Sequence, residues 1–150
     1  MTDLIQKALI ATRESKHVEF KQGFDPSTSG EWCELVKDIA AIANSGGGII
    51  VFGLDSAGIP AGVSVDYIRA IDPADIGNKL AKYTGPVDLE FEFRALEKGG
   101  SPLVALLIQP VAIPLIWLLT VKQEEITPAT FLRGYASSYI PEHMPDQNLG

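Results

Sequence analysis

Residues 41–55, AIANSGGGIIVFGLD, carry a helix end, a glycine turn and an apolar strand in one short span. The helix that stops here has Trp32, Leu35, Val36, Ile39, Ala40 and Ala43 at helical spacing, so it buries one stripe and ends near Asn44. Asn44-Ser45-Gly46-Gly47-Gly48 follows, and glycines after a helix predict left-handed backbone at its C-terminus. That is the wrong end for a phosphate cradle, which uses the amides of a helix N-terminus. A Gly-Lys-Ser/Thr ending is absent too, so a P-loop is excluded. The unbroken run 49–54 predicts a central strand covered on both faces, and Asp55-Ser56-Ala57-Gly58 predicts a turn.

On the N-terminal side, residues 3–12 place Leu4, Ile5, Ala8, Leu9 and Thr12 on one helical face. Residues 17–21, HVEFK, alternate, with Val18 and Phe20 pointing one way and His17, Glu19 and Lys21 the other. DPSTSG at 25–30 is a loop, and Thr28 with Glu31 has the spacing of a capping box. On the C-terminal side, 59–63 predicts a short extended piece. Residues 73–83 predict a helix with Pro73 in its first turn and Ile76, Leu80 and Tyr83 inward. Residues 87–95, VDLEFEFRA, alternate Val87, Leu89, Phe91 and Phe93 against Asp88, Glu90, Glu92 and Arg94. With Lys98-Gly99-Gly100-Ser101 as the turn into strand 102–108, residues 87–108 predict a hairpin. A last strand is expected at 130–134. The sum is a single α/β (α+β) domain over 1–140, a mixed sheet packed with helices, followed by a flexible tail at 141–150.

Residues 103–121, LVALLIQPVAIPLIWLLTV, have the length of a bilayer span and no formal charge. Pro110 and Pro114 would break such a helix. A buried strand at 103–108, a proline-punctuated connection and a second apolar stretch at 115–121, either core or partner surface, is the reading preferred over a membrane span. The chain of 150 residues carries 12 basic and 19 acidic side chains, a formal charge of −7, which argues against a generally basic nucleic-acid coat but not against a local basic patch. Cys33 is the single cysteine, so no disulfide framework exists. It lies near one edge of the buried stripe, as an inert thiol would. One free thiol and no apolar N-terminal signal stretch point to a cytoplasmic setting.

Two constellations could carry chemistry. Glu14 and Glu19 flank the entry to the first strand, and Asp55 follows the apolar strand. If those strands are neighbours, the three carboxylates could meet at one sheet edge and hold Mg²⁺ or Mn²⁺, a hard cation able to activate water. The plain alternative is three solvated or turn-forming acids. Beside them stand Arg13, Lys16, His17 and Lys21, a small basic cluster that could contact phosphates or be an ordinary charged surface. Lys79, Lys82 and Arg133 are possible extensions of it.

Glu14-Ser15-Lys16-His17-Val18-Glu19-Phe20-Lys21, then Ala41-Ile42-Ala43-Asn44-Ser45-Gly46-Gly47-Gly48, then Gly53-Leu54-Asp55-Ser56-Ala57-Gly58-Ile59-Pro60-Ala61-Gly62 resembles the Schlafen AlbA-like domain family. The match is strong over 14–62 and weaker to about 108. Phe131-Leu132-Arg133-Gly134 before Ser137-Ser138 is similar to the family's closing strand. The resemblance implies an Alba-related α/β fold and binding of DNA or RNA. It also implies, as in the RNA-cleaving members, a Glu, Glu, Asp set that falls on Glu14, Glu19 and Asp55. Those members have two lobes, so this one-lobed chain is expected to act as a homodimer. Three functions follow: a nucleic-acid-binding module contacting phosphates through Arg13, Lys16, His17 and Lys21; a Mg²⁺- or Mn²⁺-dependent endoribonuclease using Glu14, Glu19 and Asp55; and a protein-interaction domain whose partner covers apolar surface from 111–121.

Overall fold

The computed structural model describes residues 2–86 and 88–116. Element order is α1 (Thr2–Ile10), β1 (Val18–Lys21), α2 (Ser29–Asn44), β2 (Gly48–Phe52), α3 (Asp66–Arg69), α4 (Pro73–Thr84), β3 (Phe91–Lys98) and β4 (Ser101–Ile108). The strands form one mixed sheet in the order β1-β2-β4-β3. β1 and β2 run parallel with Val18 opposite Ile49, which requires a crossover, and α2 is that crossover. β2 runs antiparallel to β4, and β3 and β4 form a hairpin through Gly99 and Gly100, both at positive φ. Positive φ at two central residues matches the twist of a two-residue hairpin turn.

Alternation along the strands divides the interior in two. Ile50, Phe52, Val104, Leu106 and Ile108 face α2 and α4, where they meet Trp32, Leu35, Val36, Ile39, Ile76 and Leu80. Val18, Phe20, Ile49, Val51, Leu103, Ala105 and Leu107 form the opposite core with Ile5 and Ala8 of α1. β2 is buried along its whole length because it supplies both cores. Each of its large aliphatic or aromatic side chains contributes about 1.5–3 kcal/mol by leaving water.

Two local devices hold the glycine turn. The α2 helix stops where Gly46 and Gly47 adopt positive φ, as the sequence predicts. Gly48 then enters β2 so close to β1 that a Cβ there would collide with the His17 carbonyl. Asn44, the last residue of α2, clamps the chain after β4. Its Nδ2 donates to the Leu115 carbonyl (3.1 Å) and its Oδ1 accepts the Leu115 amide (2.8 Å).

Most expected elements are present, with four differences. The first helix ends at Ile10, leaving Thr12 outside it. The third strand begins at Phe91, and residues 88–90 before it are not strand, the last paired residue of β4 opposite it being Ile108. Thr28 does stand at the N-cap of α2, but its hydroxyl caps no backbone amide. Instead it contacts Glu31 (3.1 Å), whose other carboxylate oxygen accepts the Asp25 amide, so the pair braces the preceding loop. Residues 103–108 are strand, and among the described residues no helix is long and apolar enough to cross a membrane. The expected strand at 130–134, the stretch 117–121, Arg133, the domain limit at 140 and the tail at 141–150 lie outside the described residues.

Candidate functional site

Among the described residues β1 is an edge strand, and the chain just before it closes that edge. Val18 and Phe20 point to α1, so the odd-numbered neighbours Glu19 and Lys21 face α2. Parallel pairing with β2 uses the His17 and Lys21 carbonyls, which leaves Val18 and Phe20 to present backbone groups outward. Ser15 exchanges two backbone hydrogen bonds with Val18 (2.9 and 3.3 Å). Glu14 then accepts the Phe20 amide on Oε1 (3.0 Å). A free strand edge is a template for unwanted pairing, and here a turn and a carboxylate occupy it.

Glu19 is half-buried between β1 and α2, and its side chain is hydrogen-bonded to that of Glu14. Its pKa is pushed up to about 7, first by burial, then by the Asp38 and Glu14 carboxylates; Lys21 acts in the opposite sense. Lys21 is engaged with Asp38 on α2 (2.8 Å). The Glu19 carboxyl therefore still holds its proton close to neutrality. A carboxyl tuned to this range is suited to proton transfer.

This linkage has a measurable sign. The native state binds the Glu19 proton more tightly than the unfolded chain, whose carboxyl titrates near 4.5. Stability is therefore greatest below that value and falls as pH rises toward and through 7. With discount for solvent screening of a half-buried group, the loss is about 1–2 kcal/mol. Glu19→Gln is expected to flatten this slope and to be the more stable protein at pH 8. Urea unfolding at pH 5 and pH 8 checks it, and equal slopes in the two proteins would refute the assignment.

Asp55 sits differently from the other two acids. Its Oδ1 accepts the amides of Ala57 (2.8 Å) and Ile59 (3.0 Å), so it builds its own turn. Gly58 of that turn lies against the Ala11 carbonyl and the Phe20 ring, on the α1 side of the sheet, whereas Glu19 faces α2. Asp38, not Asp55, is the third acid that acts on Glu19. Among the described residues no three His, Cys, Asp or Glu side chains come together to hold a metal ion. As placed, Glu14, Glu19 and Asp55 therefore do not fit Mg²⁺ or Mn²⁺ as a shared donor set. Asp38 is a site residue that the sequence reading misses. The available signal is that Glu19 and Lys21 lie on a strand face which α2 must cover, and Asp38 is an acid at the flank of the α2 stripe.

The basic cluster divides into two pairs. His17 places Nδ1 2.8 Å from the Gly47 carbonyl and so ties β1 to the glycine turn. Lys21 is spent on Asp38. Arg13 and Lys16 are exposed, and neither has an ion pair or hydrogen bond among the described residues. Lys79 lies over the Trp32 ring at 5.4 Å and Lys82 over the Tyr83 ring at the same distance. Burial raises the pKa of the half-buried Cys33 thiol, with the Glu34 carboxylate adding to it, which makes Cys33 a poor nucleophile.

Comparison with known proteins adds a family and a fold. Residues 14–136 match the family model described as Schlafen, AlbA_2. The fold is similar to the crystal structure of the DIP2311 protein from Corynebacterium diphtheriae, with a TM-score of 0.51 and 17% sequence identity over 77% of this chain. The matched region spans 23% of that protein's length, and the likeness is one of fold. No curated protein matches the chain.

Proposed function

The chain belongs to the Schlafen AlbA_2 family, and from that premise we propose that it binds nucleic acid through the loop joining α1 to β1, with Arg13 and Lys16 on backbone phosphates. The observation that carries this reading is the state of these two cations. They are exposed and uncommitted among the described residues, while Lys21, Lys37 and Arg94 each hold a carboxylate. His17 supports them by tying the end of the loop to the glycine turn, and Lys21 ties the far end of β1 to α2. The proton held on Glu19 near neutrality removes a negative charge beside this loop, which favours an approaching polyanion.

Phosphate contacts give affinity that falls steeply with salt, and each lost contact lowers the salt slope by about one. Arg13→Ala with Lys16→Ala is therefore expected to weaken binding of transfer RNA or of single- or double-stranded DNA at least about ten-fold at low salt. The slope of log affinity against log salt should drop by about two. Fluorescence anisotropy across a salt series checks this. Absence of binding by the wild type at low salt would remove the proposal and favour the protein-interaction reading. That reading draws on Ile113 and Ile116, which are exposed beside Pro110 and Pro114. The endoribonuclease reading would be revived only by cleavage that needs Mg²⁺ or Mn²⁺ and disappears with Glu19→Ala and with Asp55→Ala.

A further inference from the structure

Among the described residues the other edge of the sheet, β3, is open where β1 is closed. The Gln109 amide donates to the Glu90 carbonyl (2.9 Å), so even-numbered positions of this strand bond inward to β4. Antiparallel pairs alternate, and Phe91, Phe93, Ala95 and Glu97 therefore turn their amides and carbonyls outward. Among the described residues no strand pairs with this side.

We propose that β3 pairs antiparallel with β3 of a second copy of this chain, centred on Phe93, so that the two four-stranded sheets become one. The argument is the register. A two-fold axis through Phe93 sets Phe93 opposite its symmetry mate and Phe91 opposite Ala95 of the other copy. All of these are outward-bonding positions, so about six backbone hydrogen bonds can form. The same axis sets Glu92 opposite Arg94 of the second copy, twice. Glu92 and Arg94 are both exposed, and they already form an ion pair within one chain (2.8 Å). On dimerisation that pair becomes an alternating ring of four charges. Edges that repel their own kind place like charges at symmetry-related positions; this edge places opposite ones. On the opposite face Phe91 and Phe93 are only partly buried and Ala95 is exposed, so pairing would cover apolar surface as well.

The test is a charge-swap series on the full chain, read by light scattering after size exclusion at low salt. Wild type should be dimeric. Glu92→Arg alone and Arg94→Glu alone each set like charges across the axis and should weaken self-association about ten-fold or more. In a mixture of these two variants, one copy brings two cations to the interface and the other brings two carboxylates. Every cross-strand contact between positions 92 and 94 then joins opposite charges, so the mixture should recover the dimer. Both positions are exposed, so loss of the fold is not a competing explanation, and recovery in the mixture confirms that each partner is folded. A monomeric wild type at about 50 µM, where an interface of this kind should be populated, would overturn the proposal. A dimer unaffected by either single variant would overturn it too.

Discussion

Gly48→Ala is expected to cost about 3 kcal/mol or more. Gly48 opens β2 at the point where β1 runs alongside it, and the Ile49 amide donates to the His17 carbonyl at 2.8 Å. A Cβ on Gly48 would overlap that same carbonyl and its neighbours in the backbone. A side chain can swing away from an intruding methyl, but a backbone carbonyl already held in a parallel ladder cannot. Relief requires β1 to move off β2, which opens the core around Val18, Phe20 and Ile49. Thermal unfolding should show a midpoint lower by about 10 °C. Gly30→Ala is the control, since a Cβ there meets nothing within 4 Å and the site lies in α2. It should be neutral or slightly stabilising, by up to about 1 kcal/mol. Equal midpoints for the two variants would contradict the close approach of β1 and β2.

Asn44→Ala should cost about 2–3 kcal/mol, because the substitution orphans both the amide and the carbonyl of Leu115, which lie in a part-buried site against the end of α2. Asn44→Asp separates the two bonds. Its carboxylate can still accept the Leu115 amide but now presents a second oxygen to the Leu115 carbonyl, so it should be as damaging as alanine at pH 8. A protonated carboxyl can donate to that carbonyl, so the folded state raises the pKa of this Asp. Stability should then be regained as pH falls below the folded value. Denaturant titration of the three proteins at pH 4.5 and pH 8 tests it. An Asp variant insensitive to pH would mean that the amide and carbonyl of Leu115 are not both held by residue 44.

The legible parts of the fold are those where one pattern governs a whole element. The α2 stripe and the apolar run of β2 each name their own secondary structure, and the glycines between them name the turn. The start of β3 is not legible, since the alternation from residue 87 continues upstream of the pairing, and pairing depends on where β4 ends. The candidate site is half legible. Glu14 and Glu19 meet because both belong to the turn and edge of one strand, five positions apart. Asp55 is recognisable as a turn residue, and its turn consumes its oxygen. Spacing along the chain carries no information about which face of a sheet a later turn packs on. Lys21 and His17 read as surface cations, and the structure spends them on Asp38 and on the Gly47 carbonyl.

The place of β2 in the sheet has a consequence for synthesis. Both of its ladder partners are remote in sequence: Val18 stands opposite Ile49, and Phe52 stands opposite Val104. On the ribosome β2 emerges with β1 already available, but its other edge waits for β4, roughly fifty residues later. At about 5–20 residues per second that is an interval of several seconds. Through it the most apolar strand of the nascent chain has one edge and much of its surface uncovered. A holdase that recognises extended apolar segments has its best target at Ile49 to Phe52 during that interval, and loses it once the β3–β4 hairpin docks.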